Sequence, residues 1–297
     1  MWIPYDIRAS LKAESDTDTV RLSVADVRRR DFLVGFYLRN PVTQAWELDV
    51  LVADDAPEQS GAPDLPEARV SLHGNERGKL AEVIYRLPAA TGEEALTLAY
   101  EDVERRLLRW QVATGRGMAI AGWRIADLAH QARWRCTAFR PSALALDDAA
   151  LGPVDADLAP LAELFRRARN APDPASRLMA AFALLDAAVS GNPALARSGA
   201  ADFRVTQEIL IHSGGLAWPE PLADLSLAAL VTLLRPHHDR LLGPRGVLAP
   251  AALDLPAQKR LAVLANLADL VAHRLLISET RARAAGVPAR SAEAAEV

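Results

Sequence analysis

The spacing of the apolar residues changes near residue 150, and this change constrains the fold more than any other feature of the chain. Before it, short runs rich in β-branched and aromatic residues alternate with polar turns, which is typical of strands. After it, the apolar residues recur three and four positions apart, which is the period of an amphipathic helix. At 297 residues the chain is long enough for two domains of ordinary size. We therefore predict an α+β fold, with a β-rich domain over residues 1–148 and an all-α helical bundle over residues 149–297.

The first half contains one helical segment among predicted strands. From Glu93 to Thr114 the apolar residues form one helical stripe, with Thr91 as the N-cap and Gly115 at the C-terminal end. The turn at residues 73–78 favours a hairpin. The predicted strands are Thr19–Val24, Phe32–Leu38, Trp46–Val52, Arg69–Leu72, Leu80–Leu87, Met118–Ile125 and Ala132–Phe139.

The second half reads as helices separated by glycine, proline and short polar segments. Pro236 is expected to break or kink the last turn of the fourth helix. The predicted helices are Leu158–Asn170, Pro174–Ser190, Phe203–Ser213, Leu222–Leu242 and Pro256–Arg283.

Charge and cysteine content exclude several classes of protein. The formal net charge of −4 argues against a broadly basic nucleic-acid-binding surface, so we predict no DNA partner. The single cysteine, Cys136, excludes an intrachain disulfide framework and a multi-cysteine metal site. The N-terminal residues lack the pattern of a secretory signal, and no stretch of about eighteen residues is apolar and uncharged. We expect a cytoplasmic protein without membrane contact.

Arg204 and His212 are the residues with the clearest catalytic interpretation. If the helix includes both, Arg204, Glu208 and His212 lie four apart on one stripe. An arginine can stabilise developing negative charge and a histidine can transfer a proton, and RNA cleavage needs only these two roles because the 2′-hydroxyl is the nucleophile. The alternative is an Arg204–Glu208 surface ion pair with His212 at the helix C-terminus, where a cation is favoured.

Other residues have structural explanations that compete with functional ones. Trp123 and Trp134 lie on predicted strands and could line a ligand pocket, although aromatic residues at this spacing usually pack in a core. Adjacent His237 and His238 point about 100° apart on a helix, which disfavours a shared metal ion. We predict no metal site and no cofactor.

Segments of the helical half resemble HEPN-type domains. The resemblance is carried by residues 161–168, residues 173–186 and the Arg204…His212-Ser-Gly segment. It implies two long antiparallel helices, frequent dimerisation and, in some members, RNA cleavage by an Arg-x(4–6)-His motif. Seven residues separate Arg204 from His212 in this chain.

Over its whole length the chain resembles the MauJ family. This resemblance is carried by the opening MWIPYDIR, by Gly122–Ile125 and by residues 132–142. It implies a β-rich N-terminal half, a helical C-terminal half and a gene encoded with those of bacterial methylamine dehydrogenase. It implies no catalytic residues.

Three functional hypotheses follow from these observations. The first is a non-enzymatic accessory or regulatory protein of methylamine utilization. The second is a HEPN-like, metal-independent ribonuclease or RNA-binding protein that uses Arg204 and His212, with a homodimer formed through the helical domain. The third is a module of the N-terminal domain that binds a small ligand or a protein near Trp123 and Trp134.

Overall fold

The computed structural model describes residues 9–54, 56–63, 65–138, 154–242 and 254–288. The chain divides into two compact units, Met1–Arg140 with Ala252–Gln258, and Pro141–Ala251 with Lys259–Val297. The boundary predicted between residues 148 and 149 lies outside the described residues. Strands in the first unit and helices in the second confirm the predicted α+β class.

The first unit is built on a seven-stranded antiparallel sheet. Its order is β1-β7-β6-β2-β5-β4-β3, so the long strands β2, β5 and β6 are central. The strands are β1 (Ala9–Ala13), β2 (Arg30–Arg39), β3 (Gln59–Ser60), β4 (Arg69–Gly74), β5 (Leu80–Ala89), β6 (Ala119–Asp127) and β7 (Ala132–Ala138).

One face of this sheet packs against helix α2 (Gly92–Thr114). The Thr91 side chain accepts a hydrogen bond from the Glu94 amide and Gly115 ends the helix in the left-handed conformation, which confirms both predicted caps. Phe32, Val34 and Phe36 of β2 are fully buried in the core beneath α2. Because side chains alternate along a strand, the residues between them lie on the opposite face, which we call the open face.

The strand predicted at Thr19–Val24 is wrong, because this segment lies within helix α1 (Thr17–Ala25). Asp16 caps the helix by accepting a hydrogen bond from the Thr19 amide, and the buried position is Ser23. Leu22 is 60% exposed, so the period-two pattern that favoured a strand does not mark a packed face. Tertiary contacts of Ser23 outweigh the local β propensity.

One further prediction for the first unit needs correction, and one strand was not predicted. The segment Trp46–Val52 forms no regular strand, although a bridge between Leu51 and Lys79 and backbone hydrogen bonds to Gly78 and Leu80 hold it beside the start of β5. Strand β1, which the sequence analysis did not anticipate, pairs with β7 at the edge of the sheet. The hairpin of β4 and β5 and the strands β2, β6 and β7 are confirmed.

Among its described residues, the second unit contains four complete α-helices and α7 from Lys259 onward. Helices α3 and α4 pack on each other, and α4 also packs on α6. Helix α6 runs through Pro236 to Leu241, so the proline does not break the helix, and a kink at this position stays a prediction. The helices are α3 (Ala159–Arg169), α4 (Pro174–Val189), α5 (Gln207–Ser213), α6 (Leu227–Leu241) and α7 (Leu255–Ala284).

Buried acidic residues of α7 hold the second unit together. Glu279 is fully buried and accepts hydrogen bonds from the Arg197 amide (2.6 Å) and from Arg283 Nε (2.7 Å). Arg283 also pairs with Asp155 and Asp157, so one guanidinium joins α7 to the segment before α3. These pairs favour one packing of the helices.

Among the described helices, α7 is long and apolar enough to cross a membrane by length and composition. Half of the residues in its most apolar window are buried inside the structure. A core helix of a helical bundle meets the same criterion, so this observation is weak and the absence of membrane contact stays a prediction.

Candidate functional site

The structure does not place Arg204 and His212 on one helical stripe. Helix α5 begins at Gln207 with Thr206 as its N-cap, and Arg204 precedes it in a bridge with Ser226. The exposed Arg204 side chain donates a 2.8 Å hydrogen bond to the Phe203 carbonyl. The helix predicted over Phe203–Ser213 is therefore shorter at its N-terminus than expected.

The carboxylate near His212 pairs with a different arginine. Glu208 forms a 2.8 Å ion pair with Arg274 of α7, instead of the Arg204–Glu208 pair considered as the alternative. His212 Nε2 is 4.0 Å from the other Glu208 oxygen. His212 is in the last turn of α5, where the partial negative charge of the helix end favours a cation.

Trp123 and Trp134 lie on the face of the sheet covered by α2. Trp123 is 7% exposed and is paired with Phe36 of β2 across the sheet. Trp134 packs so closely on Gly92 that a Cβ atom there would lie 2.5 Å from the indole ring. Both rings therefore contribute to the packing between sheet and helix.

The adjacent histidines His237 and His238 of the second unit take part in aromatic packing. His238 stacks on Phe182 with ring centroids 4.2 Å apart, and its neighbour His237 contacts Trp218 edge-on. Burial lowers the pKa of His237, and the nearby arginines lower it further. Within the described ranges, no group of three or more potential ligands could hold a metal ion.

The open face of the first unit carries a depression of about 250 Å³. It lies over the centre of the sheet, where β2, β5 and β6 meet the turn before β7. Its lining combines apolar side chains with polar and charged ones: Leu33, Ile84, Ala126 and Leu128 with Glu14, Arg124, Gln131 and Arg133. The lining also includes Gly35, Ile125 and Asp127, and the side chains of the last two are buried on the opposite face of the sheet.

Gly35 leaves space for an ion pair at the depression. A Cβ atom at this position would lie 2.3 Å from Glu82 Oε1 and 2.9 Å from Arg124 Nε. Glu82 and Arg124 form a bidentate ion pair with distances of 2.6 and 2.9 Å. The pair lies directly over the strand because position 35 has no side chain, and a glycine inside a strand often marks such a close approach.

Asp127 builds the turn at one end of the depression. Its Oδ1 accepts hydrogen bonds from the Ala129 and His130 amides, at 3.0 and 3.2 Å. Its Oδ2 accepts hydrogen bonds from Ser23 Oγ and from Arg30 Nε. Burial raises the pKa of this carboxyl, but the hydrogen bonds from Arg30 and Ser23 outweigh burial and keep it below its usual value. The carboxylate therefore fixes the turn in its charged form.

The turn ends at Gln131, which adopts a positive φ of 56°. This left-handed conformation is uncommon for a residue other than glycine and costs free energy unless the surroundings impose it. The turn places Gln131 at the rim of the depression.

Among the side chains that the structure describes, the charges around the depression leave one guanidinium in excess. Arg124 pairs with Glu82, and Arg135 pairs with Glu14. The buried Asp127 is neutralised by Arg30. Arg133 is exposed, and its guanidinium has no ion-pair or hydrogen-bond partner among the described residues. The rim therefore presents one positive charge next to an apolar floor.

Sequence reasoning missed this depression, although two signals were present. Gly35 interrupts an otherwise apolar strand, which can indicate a close approach. Arg133 and Arg135 alternate with Trp134 and Cys136, which places the two arginines on one face of β7. Neither signal shows that the turn at Gln131 closes one end of a concave surface, because that depends on the contacts of Asp127.

Comparison with known proteins relates both units to one family. Residues 5–136 match the family model described as methylamine utilization protein MauJ, N-terminal domain. The chain is 63% identical to methylamine utilization protein MauJ of Paracoccus versutus over 97% of this chain and 98% of the relative. It is 57% identical to the protein of that name from Paracoccus denitrificans, over 96% and 97% of the two chains. It is 43% identical to the protein of that name from Methylorubrum extorquens, over 95% of this chain and 97% of the relative. No solved structure matches significantly.

Proposed function

The chain belongs to the family of methylamine utilization protein MauJ, and from this membership we propose that it is a non-enzymatic accessory or regulatory protein of bacterial methylamine utilization. The proposal places it in the cytoplasm. The observation that carries it is identity of 43–63% over nearly the full length of three relatives of that name.

The contacts of the ionisable side chains support a non-enzymatic role. Buried Asp127 and Glu279 are held by arginines and backbone amides as parts of the fold. His238 stacks on an aromatic ring. These groups stabilise the two units, which is a sufficient physical reason for their burial.

An in-frame deletion in the bacterium that encodes this protein tests the proposal. The deletion strain would compete with wild type in mixed culture, with methylamine as the growth substrate and with a substrate that bypasses methylamine oxidation as the control. We expect the deletion strain to be outcompeted on methylamine only, with a changed level or maturation of methylamine dehydrogenase. Equal fitness on methylamine, with unchanged dehydrogenase activity and expression, would contradict the proposal.

A more specific form of the proposal is that the protein acts as a binding module through its N-terminal unit. The depression on the open face supports it, because a concave surface with an apolar floor and few charged groups is typical of ligand sites. This site lies on the face of the sheet opposite to Trp123 and Trp134. The sequence analysis had predicted a binding site near those two residues.

The ribonuclease hypothesis is less well supported by the geometry. Arg204 lies outside the helix that carries His212, and Glu208 beside His212 is paired with Arg274. The HEPN-like fold, the homodimer through the helical unit and RNA as a partner stay predictions.

A further inference from the structure

The depression on the open face has the features of a site for one class of small molecule. Its volume of about 250 Å³ is below the range of roughly 300–1,000 Å³ that is usual for drug-sized ligands. A molecule of few non-hydrogen atoms is the occupant that fits this space.

The ion pairs around the depression indicate that a ligand there is negatively charged. The Glu14 carboxylate at the depression pairs with Arg135, and the buried Asp127 carboxylate on the opposite face of the sheet pairs with Arg30. Arg124 is neutralised by Glu82, which leaves the exposed Arg133 guanidinium without a partner among the described residues of this unit. A planar guanidinium with free donors binds carboxylates in bidentate geometry.

The apolar side chains of the lining favour a ligand whose remaining part is aliphatic. Leu33 lies two positions before Gly35 on β2, Ile84 is paired with Gly35 on β5, and Leu128 lies at the turn. Each of these side chains is at least partly exposed. Contact with an aliphatic chain would remove this apolar surface from water, which is favourable in proportion to the area covered.

The site is also fixed before any ligand binds. Gly35 lets the Arg124–Glu82 pair lie over the strand, and Asp127 holds the turn that ends at Gln131. Rigid walls reduce the ordering that binding requires.

We propose that the open face of the N-terminal sheet binds a small aliphatic monocarboxylate, with the carboxylate on Arg133 and the chain over Leu33 and Ile84. This inference rests on the proposed role as a binding module and adds its ligand class. The binding would give an accessory protein a means of sensing a small organic acid.

Methyl-resolved NMR of the full-length protein tests the ligand class. The probes are hexanoate, hexanamide and hexylammonium, which share an aliphatic chain and differ in charge. Hexanoate is expected to shift the methyl signals of Leu33, Ile84 and Leu128 and to bind at least about tenfold more tightly than hexanamide. Hexylammonium is expected to leave these signals unchanged. Equal affinity for hexanoate and hexanamide, or no shift with 10 mM hexanoate, would overturn the proposal.

Two arginine variants test the location of the site. Arg133→Gln is expected to weaken hexanoate binding at least about tenfold, because it removes the unpaired guanidinium. Arg69→Gln is the matched control, since Arg69 is 71% exposed on the same face but lies outside the depression. It is expected to change the affinity less than twofold. Equal effects of the two substitutions would overturn the assignment to Arg133, and the methyl spectrum of each variant shows that it is folded.

A filling variant gives a second test that does not alter charge. Ala126→Leu adds three carbon atoms to the lining of the depression and is expected to abolish hexanoate binding. Unchanged affinity would overturn the proposed position of the chain. These outcomes are independent of the deletion experiment: a growth defect without hexanoate binding would contradict the ligand class alone, and hexanoate binding without a growth defect would contradict the role in methylamine utilization alone.

Discussion

Removing the Asp127 carboxylate is expected to destabilise the N-terminal unit strongly. Asp127 is fully buried and accepts hydrogen bonds from Ser23, Arg30 and the amides of Ala129 and His130. Deleting one partner of a buried ion pair costs about 3–5 kcal/mol, since the other charge is left without compensation.

The surroundings of Arg30 determine where in this range the loss of stability on removing Asp127 falls. Its two terminal nitrogens also donate to the carbonyls of Ser23, Asp26, Arg28 and Ala90, so they keep acceptors when Asp127 is lost and only Nε loses its acceptor. The unpaired positive charge remains in a site where the Arg30 side chain is 9% exposed. We therefore expect Asp127→Ala to lower the free energy of unfolding by about 3 kcal/mol, the lower end of that range.

The control is Asp31→Ala, which removes an aspartate from a neighbouring ion pair at the surface. Asp31 pairs with Arg86 at 2.7 Å, but the two side chains are 42% and 56% exposed. Such a pair contributes about 0–1 kcal/mol.

The assay is urea unfolding monitored by hydrogen exchange and mass spectrometry. The two units can unfold separately, and only local exchange assigns the loss of stability to one of them. Peptides from β2 and β6 report on the N-terminal unit. Equal stability of Asp127→Ala and Asp31→Ala in these peptides would refute the structural role of Asp127.

The same carboxylate predicts a dependence on pH. Hydrogen bonds hold the pKa of Asp127 below the ordinary value of 3.8, so its contribution to stability is complete above that value and is lost as the pH falls through the folded-state pKa. The stability advantage of wild type over Asp127→Asn should be constant above about pH 5 and shrink below about pH 4. A constant advantage down to pH 2 would contradict the lowered pKa.

The remaining predictions concern three other residues. Gly35→Ala should change the free energy of unfolding by less than about 1 kcal/mol, because mainly side-chain atoms of Glu82 and Arg124 must move, but it should weaken hexanoate binding at least about fivefold in the NMR titration. Glu279→Ala should lower the stability of the helical unit by about 3 kcal/mol in hydrogen exchange of α7, while the sheet peptides keep their protection. Purified wild type and His212→Ala should show the same RNA cleavage in chelator, and activity lost only in the variant would revive the ribonuclease hypothesis.

Local signals in the sequence were sufficient to predict several helices and strands. Helix α2 could be predicted with its ends because Thr91 and Gly115 act through contacts within one helical turn. The hairpin of β4 and β5 could be predicted because the turn and both strands are contiguous in sequence.

The errors arose where distant contacts decide the structure. The segment around Ser23 has the residue pattern of a strand, yet it is a helix whose Ser23 hydroxyl donates to Asp127, 104 residues away. The prediction that Arg204 and His212 share one helical stripe required a continuous helix. In the structure, Thr206 is the N-cap of α5, so the helix begins after Arg204. The depression depends on Gly35, Asp127 and Arg133, which are brought together only by the pairing of β2, β6 and β7.

The most direct test of the central claim is a competition experiment with point mutations placed in the chromosomal gene. Strains carrying Arg133→Gln or Arg69→Gln would each compete with wild type during growth on methylamine, with protein levels verified. If the protein serves methylamine utilization through the open face of its sheet, the Arg133→Gln strain should be as unfit as the deletion strain and the Arg69→Gln strain should match wild type. An Arg133→Gln strain as fit as wild type, beside an unfit deletion strain, would contradict the claim.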